Sequence, residues 1–447
     1  MSRPPYVRPS IVRHYAGGMN KMGPGPAATP QSHIGGVDVE ALVAAYGSPL
    51  FVYRAAPFRQ AMRALRDGLA RRLPKVALAW SHKTCGLDAI CALAQQEGAL
   101  AEVVSGMEYR RARLQGYSPP DIVYNGPHKD VPSLTDALLG GSIVHLDHFD
   151  ELAQCEAIAH AHDRTPNVGL RLSMDIVGLP RWDRFGFHLD SGQAWDAVRR
   201  LQAGGCLNLT ALHCHLGTFI LDPDAYAQAA TRLATFANRL RQELGIVIES
   251  IDLGGGLASQ NHLRGHHPGS GRAPALDTYA AAIAEGLGAL DPELSPLILV
   301  ESGRALIDEA GTLITTVIAR KRLADGRPAL VVDGGVNLLP TAHWYQHQLR
   351  PTRPRTGAPG STMVYGPLCM NIDLVGNNVM LPPLSAGDRL LASPVGAYNL
   401  SQSMQFIDLR PAVCLIGADG QHGLIRRAET LDDLRGPERV PDWLARG

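Results

Sequence analysis

The chain has 447 residues, 45% of them apolar, and its 42 Lys and Arg residues balance its 42 Asp and Glu residues. This length suits a large barrel with a second module, and zero net charge excludes a global attraction to nucleic acid or anionic membrane. No apolar run approaches the roughly 18 residues of a membrane span, and the N-terminus lacks the apolar core of a signal peptide. Seven cysteines without a C-x-x-C pair argue against disulfides and zinc, so we expect a cytoplasmic protein.

The first part of the chain predicts an arm, a strand and a helix. Residues 1–47 are rich in Pro and Gly, and Gly23-Pro24-Gly25-Pro26 cannot lie inside a regular element, so we expect an extended arm. Gly47–Tyr53 is typical of a short strand, and the Arg-punctuated run Phe58–Leu73 is typical of an amphipathic helix.

A single lysine follows the first strongly apolar strand. Val76–Ser81 predicts a buried strand, and Lys83 comes just after its end. Poor solvation at such a position lowers the pKa of a lysine and makes its amine available for covalent chemistry on a carbonyl. Lys83 could also be an ordinary surface lysine, and this stretch alone leaves both interpretations open.

From residue 76 onward, apolar strands alternate with helix-length segments. The eight predicted strands are Val76–Ser81, Leu100–Ser105, Asp121–Asn125, Ile143–Asp147, Val168–Ser173, Leu209–Leu216, Ile248–Leu253 and Leu297–Glu301. This is the pattern of a closed parallel (β/α)8 barrel, an α/β fold that we place at residues 48–305. The alternative is an open doubly wound sheet, but no Gly-x-Gly-x-x-Gly turn follows an early strand.

Unusual residues stand at the C-terminal ends of these strands, where such barrels carry their chemistry. They are Lys83, Arg171, His213, His215, Thr218, Gly254, Gly255, Gly256, Glu301, Gly303 and Arg304. The three glycines permit an anion-binding nest, to which Arg304 would add a rigid donor fork, although a floppy turn and a solvated charge remain alternatives. Glu301 could simply pair with Lys83. The two histidines share a strand face, but no third ligand of matching spacing follows, so we predict no metal site.

Past residue 305 the alternation stops and short β-rich segments follow. They predict a separate β domain over residues 306–430 and a charged, peripheral tail over residues 431–447. The predicted strands are Leu313–Ala319, Pro328–Asp333, Met363–Tyr365, Arg389–Ser393 and Phe406–Leu409. The most informative segments are the loop Gly366–Asp373, which contains Cys369, and Gly396-Ala397-Tyr398. A cysteine in such a loop is inert unless something lowers its pKa.

Several short motifs occur together and in order. They are Lys83 after a buried strand, His-Leu-Gly-Thr at 215–218, Gly-Gly-Gly at 254–256, Glu-Ser-Gly-Arg at 301–304, Gly-Pro-Leu-Cys at 366–369 and Gly-Ala-Tyr at 396–398. As a set they resemble the fold-type III pyridoxal-phosphate-dependent decarboxylases, the group of diaminopimelate and ornithine decarboxylases. The resemblance implies a TIM-like barrel of the alanine-racemase type and a β domain built partly from the N-terminal segment. It also implies a head-to-tail homodimer, in which the Cys-bearing loop of one subunit completes the active site of the other.

The resemblance further implies a role for each residue. Lys83 would carry pyridoxal phosphate, His215 would stack on its ring, and Glu301 would keep the pyridine nitrogen protonated so that the ring can accept electrons. Phosphate and other cofactor contacts would come from Arg171, Thr218, Gly254, Gly255, Gly256, Gly303, Arg304 and Tyr398. Cys369 would return a proton after CO2 leaves. The amino-acid-derived substrate would meet His343, Tyr345, Met370, Asn371 and Asp373.

Two departures from the family pattern concern the substrate. Met370 stands where diamino-acid decarboxylases have an acid that meets a distal ammonium, and a thioether cannot pair with a cation. The family's Arg-Pro after Asp333–Asn337 is missing, because the chain reads Leu338-Leu339-Pro340-Thr341. We therefore expect decarboxylation of a conjugated amino acid, citryl-linked or carrier-linked, in siderophore or other secondary-metabolite biosynthesis.

Three alternatives remain. The first is a diaminopimelate, lysine or ornithine decarboxylase that acts on a free diamino acid. The second is an amino-acid racemase, which Glu301 disfavours because racemases of this type usually avoid a carboxylate at the pyridine nitrogen. The third is a non-catalytic homologue, which the joint retention of Lys83, Glu301 and Cys369 disfavours.

Overall fold

A computed structural model describes residues 28–264 and 272–444. Most of the arm predicted over residues 1–47 and the last three residues of the predicted tail lie outside these ranges. The chain begins with β1 (His33–Ile34), β2 (Val37–Asp38), α1 (Val39–Tyr46), β3 (Leu50–Arg54) and α2 (Ala55–Ala70). The predicted amphipathic helix is confirmed as α2, whose buried stripe includes Phe58, Met62, Leu65 and Leu69.

The predicted barrel is confirmed. Its elements are β4 (Val76–Ser81), α3 (Asp88–Gln96), β5 (Leu100–Val103), α4 (Gly106–Leu114), β6 (Ile122–Tyr124), α5 (Val131–Gly140), β7 (Ile143–Leu146), α6 (Phe149–His162), β8 (Asn167–Ser173), β9 (Phe187–His188), α7 (Gln193–Gly204), β10 (Asn208–Cys214), α8 (Asp224–Leu244), β11 (Ser250–Asp252), α9 (Leu276–Leu287), β12 (Leu297–Val300) and α10 (Arg304–Ile307). Strands β4 to β8 and β10 to β12 pair in parallel, and β12 pairs back with β4. This closure excludes the open doubly wound sheet.

The barrel strands are buried on both faces, which explains why most of their residues are apolar. Ala79, Val123 and Leu299 form a small cluster of their own, separate from the main core. The main core lies between the strands and the helices around them, as where Phe58 of α2 meets Trp80 of β4 edge to face at 4.9 Å. The interior packing fixes the strand ends and therefore the polar residues that follow them.

The β domain is also confirmed. It contains β13 (Gly311–Arg322), β14 (Pro328–Val332), β15 (Gln348–Pro351), β16 (Gly360–Tyr365), β17 (Leu374–Leu381), β18 (Arg389–Ser393), β19 (Ala412–Ile416) and β20 (His422–Arg426), followed by the exposed helix α11 (Leu431–Arg435). The main sheet runs in the order β17-β16-β14-β13-β3-β19-β20, and β18 pairs with β13 and β15.

Two details of the predicted organisation need correction. The boundary at residue 48 is wrong, because β3 pairs with β13 and β19 and so belongs to the β domain rather than to the barrel. Phe406–Leu409 forms no strand. Ile407 there has a left-handed φ of 48° and is exposed, and the actual strand is β19, which begins at Ala412. Within the described ranges, no helix has the length and apolar character needed to cross a membrane.

Candidate active site

Lys83 lies at the barrel mouth and is held by an acid from the neighbouring strand. Its Nζ donates to both carboxylate oxygens of Glu102, at 2.7 and 2.6 Å, and Glu102 is buried in β5 in register with Ser81. Burial lowers the pKa of Lys83, but Glu102, with Tyr398 and Glu301, outweighs burial and raises the pKa above its ordinary value. The predicted lowering of the Lys83 pKa is therefore wrong for the free protein, because the acid comes from a different strand.

Glu301 follows β12 and occupies a buried polar centre below Lys83. Asn125 donates its side-chain amide to one Glu301 oxygen, and Nε2 of His213 lies 3.4 Å from the other. His145 stacks on His213 with ring centroids 4.7 Å apart, and its Nδ1 lies 2.7 Å from Oδ1 of Asn125. Burial lowers the pKa values of both histidines, so both rings are neutral.

His215 lies on the same strand face as His213, as predicted, but nearer the mouth. Its Nδ1 accepts the N–H of Gly255 at 3.1 Å. Burial, together with the charges of Arg171 and Lys83, lowers the pKa of His215 to about 3, so its ring is neutral. Arg171 is buried, and its Nε lies 3.7 Å from a carboxylate oxygen of Asp147. A neutral aromatic ring at this position can lie flat against a cofactor ring.

The three glycines are needed first for close packing. A Cβ on Gly254, Gly255 or Gly256 would lie 2.4 or 2.5 Å from a backbone carbonyl oxygen, and Gly254 and Gly256 have φ values of 64° and 97°. Two amides are already engaged, since Gly254 donates to Asp252 and Gly255 to His215. Among the described contacts, only the Gly256 amide of the predicted nest is left for an anion.

Arg304 is a cation without a countercharge in the described part of the chain. Its Nη1 is buried and has no hydrogen-bond partner, and its guanidinium carbon lies 4.8 Å from the ring centroids of both Tyr345 and Tyr398. Tyr398 is fixed beside it, with its N–H donating to Thr84 at 2.9 Å. A cationic group with a buried, unpartnered donor atom favours an anionic ligand. A phosphate would supply that anion, so the mouth fits pyridoxal phosphate.

Four further residues that the sequence places at the cofactor or the substrate have less direct support in the structure. Thr218 is exposed, and Gly303 packs so closely that a Cβ there would collide with Thr84. Tyr345 is buried, with its ring centroid 4.8 Å from the guanidinium carbon of Arg304, whereas His343 is exposed.

The Cys-bearing loop joins β16 to β17 and lies at the protein surface. Cys369 and Asn371 are exposed and Met370 is half-buried. Asp373 is buried, and its carboxylate accepts the N–H groups of Val336 and Leu368, each at 2.8 Å. Asp373 thus holds the loop in place, and its predicted contact with substrate is not what the structure shows.

Sequence patterns missed three residues of this centre. Glu102 is a lone acid inside a buried strand, while Asn125 and His145 are polar positions in or directly after such strands. A polar residue in a fully buried apolar strand is costly unless it is paired, and that cost was the available signal. The structure brings Lys83 and Glu301 together with them at one mouth.

Comparison with known proteins agrees with this geometry. Residues 58–308 match the family model described as pyridoxal-dependent decarboxylase, pyridoxal binding domain. Diaminopimelate decarboxylase of Bacillus subtilis is 28% identical over 415 residues, covering 90% of this chain and 93% of that protein, and that of Actinosynnema pretiosum is 30% identical over 414 residues, covering 90% and 91%. The crystal structure of diaminopimelate decarboxylase from M. jannaschii superposes with a TM-score of 0.85 at 25% identity, covering 94% of this chain and 99% of that one. The chain therefore belongs to the pyridoxal-dependent decarboxylases, carboxy-lyases that act on amino acids with pyridoxal phosphate.

Proposed function

We propose that this decarboxylase acts on a free diamino acid of the diaminopimelate type. The supporting observation is that similarity to diaminopimelate decarboxylases extends over about nine-tenths of the chain and includes both the barrel and the β domain. This favours the free diamino acid, an alternative in the sequence interpretation, over the conjugated substrate that the sequence led us to expect.

Different residues at the mouth would bind the cofactor and control the position of protons. Pyridoxal phosphate, when bound, supplies the electron sink for decarboxylation. Arg304 would offer its unpartnered Nη1 to the phosphate, and the neutral ring of His215 would pack against the cofactor ring. Glu301 would accept a hydrogen bond from the protonated ring nitrogen. Glu102 holds the Lys83 amine at the mouth, and its charge favours the protonated form of that amine.

Arg264 is a candidate anchor for the far end of the substrate. It lies in the loop after the glycines, where its backbone N–H donates to Trp344 at 2.8 Å. Its side chain has only long contacts to the carbonyl oxygens of Tyr345 and Leu374, at 3.3 and 3.4 Å, and no carboxylate partner among the described residues. It therefore lies between Tyr345 and the strand that follows the Cys-bearing loop of its own chain, and it is available to bind a distal carboxylate.

One observation still favours a second candidate. Met370 is half-buried beside Cys369 and cannot pair with a distal ammonium. A citryl-linked or carrier-linked amino acid of secondary metabolism has no distal ammonium, so it needs no acid at the position of Met370. A cation at Arg264 would also suit the carboxylates of a citryl group, so direct assay must separate the two substrates.

The test is CO2 release by purified, cofactor-loaded protein. The panel contains free diaminopimelate, lysine and ornithine beside citryl-conjugated diaminopropionate, with Lys83→Ala as the inactive control. We expect turnover of diaminopimelate, and Arg264→Met should raise KM for diaminopimelate more than KM for lysine. Turnover of the conjugate alone would overturn the proposal, and equal effects of Arg264→Met on both substrates would remove Arg264 as the anchor.

We also propose that the active sites form between two subunits. Cys369 is exposed, and no contact among the described residues joins it to Lys83, so a second chain is needed if this thiol is to return the proton to the product. Mixing inactive Lys83→Ala and Cys369→Ala proteins should restore activity, because a hybrid dimer then has one site with both native residues. No recovery after subunit exchange, shown by mixed-tag pull-down, would contradict a shared site.

A further inference from the structure

A second carboxylate lies in the buried polar centre, next to Glu301. Asp252 ends β11 and is completely buried. One carboxylate oxygen from each of Asp252 and Glu301, together with one ring nitrogen from each of His145 and His213, lie within 4.8 Å of one another. Two carboxylates at this separation inside a protein do not both ionise, because nothing screens their repulsion.

The hydrogen bonds show which carboxylate carries the charge. Glu301 accepts from Asn125 and has Nε2 of His213 at 3.4 Å. Asp252 accepts only the backbone N–H of Gly254, at 2.8 Å, and its Oδ2 has no donor among the described residues. No Lys or Arg in the described ranges forms an ion pair with Asp252. An ionised Asp252 would therefore be a buried charge with a single hydrogen bond, whereas a protonated Oδ2 could itself donate.

The other ionisable groups around Asp252 do not change this assignment. They are Glu301 after β12, Cys214 and His213 of β10, His145 of β7 and Glu102 of β5. Both carboxylates in this set repel a charge on Asp252, and both histidines are neutral. Burial, and then the charge of Glu301, raise the pKa of Asp252 well above its ordinary value.

We propose that Asp252 is a neutral carboxylic acid that donates its proton in a hydrogen bond to Glu301 and positions that carboxylate for the cofactor ring nitrogen. The inference rests on the role proposed for Glu301. Asp252 acts through Glu301, so it is a positioning residue. With Asn125 and Asp252 both donating, Glu301 stays ionised and the proton of the pair Glu301–pyridine stays on the ring nitrogen.

The discriminating variant is Asp252→Asn, because an amide can donate to Glu301 and still accept from Gly254. Asp252→Ala removes both bonds. The native protein must hold a proton that the unfolded chain releases above about pH 3.9. Its folded-to-unfolded ratio should therefore fall by about tenfold per pH unit above that value, until the folded pKa is reached.

Urea unfolding of cofactor-free protein between pH 5 and 8 tests this directly. At each pH, the unfolding free energy of the native protein is compared with that of Asp252→Asn. We expect the variant to gain stability over the native protein as pH rises. If the unfolding free energies of the two proteins change with pH in parallel, the proposal is overturned. Stabilisation of the native protein by Zn2+ or Mg2+ would also overturn it, since a metal would require an ionised Asp252.

Two measurements keep the test independent of folding and of the Glu301 role. Infrared difference spectra between native protein and Asp252→Asn should show the carbonyl stretch of one buried protonated carboxyl group, and its absence would refute the assignment. In the loaded proteins, Asp252→Asn should keep the native visible absorbance of the cofactor while Asp252→Ala shifts it. If the infrared band is present but neither variant shifts the absorbance, Asp252 is neutral and the proposed role of Glu301 is wrong.

Discussion

Replacing Arg304 with Met should weaken binding of pyridoxal phosphate far more than binding of pyridoxal. Arg304 is the cation whose buried Nη1 has no partner in the described structure. Met approximates the length of the side chain and packs against aromatic rings, but it removes the charge and the donors. The two ligands differ only in the phosphate, so the ratio of their dissociation constants isolates the contribution of Arg304 to phosphate binding.

The expected magnitude follows from the missing hydrogen bond. A charge-assisted bond contributes about 1.5–3 kcal/mol, which corresponds to about a ten- to hundredfold change in Kd. The guanidinium also contacts the rings of Tyr345 and Tyr398, at 4.8 Å each. Those contacts exist without ligand, so their loss lowers the stability of the protein and leaves the preference for phosphate unaffected.

The assay is equilibrium titration of cofactor-free protein with each ligand, followed by the visible absorbance of the complex. Arg200→Met is the matched control, because Arg200 pairs with Glu156 at 2.8 Å on the outside of the barrel. The control should bind both ligands as the native protein does. An equal loss of affinity for pyridoxal and pyridoxal phosphate in Arg304→Met would show that Arg304 shapes the pocket and does not bind phosphate.

Three other substitutions test the surrounding structure. Lys129→Met should cost about 3–5 kcal/mol of unfolding free energy in urea, because it leaves the buried Glu151 without its partner at 2.7 Å, and Lys129→Met/Glu151→Gln should recover part of that loss. Glu102→Gln should lower the pKa of Lys83, so the rate of cofactor loading should rise at neutral pH in stopped-flow traces; an unchanged pH profile would contradict the pairing. Gly255→Ala should cost about 1–3 kcal/mol in the same unfolding assay, since its Cβ would lie 2.4 Å from the Glu301 carbonyl oxygen.

The barrel could be predicted because its signal is local. Each buried strand is a short apolar run, and each run ends where polar residues begin, so Val76–Ser81 and its seven counterparts were identified within a few residues. The assignment of β3 could not be made in this way. Its apolar pattern predicts a strand, but its partners β13 and β19 lie far along the chain, and only tertiary pairing shows which sheet it joins.

The residues of the candidate site also divide into those that the local sequence predicts and those that depend on tertiary contacts. Lys83, Glu301 and Arg304 are visible in the sequence because each follows a buried strand at the end where such barrels react. The direction of the Lys83 pKa shift was not predictable, because it depends on Glu102, nineteen residues away on the neighbouring strand. The role of Asp373 could not be predicted for a similar reason. The N–H groups of Val336 and Leu368 that donate to its carboxylate come from two separate loops.

The proposed anchoring by Arg264 favours a substrate that ends in a carboxylate. Met370 supplies no negative charge beside Cys369, so a purely cationic end, as in lysine or ornithine, gains nothing there. Arg264 supplies a positive charge without a carboxylate partner among the described residues, and burial already lowers its pKa. Leaving that guanidinium half-buried opposite an ammonium would add repulsion to the cost of burial. Diaminopimelate brings a carboxylate to the same position, so its kcat/KM should exceed those of lysine and ornithine, and Arg264→Met should reduce this preference.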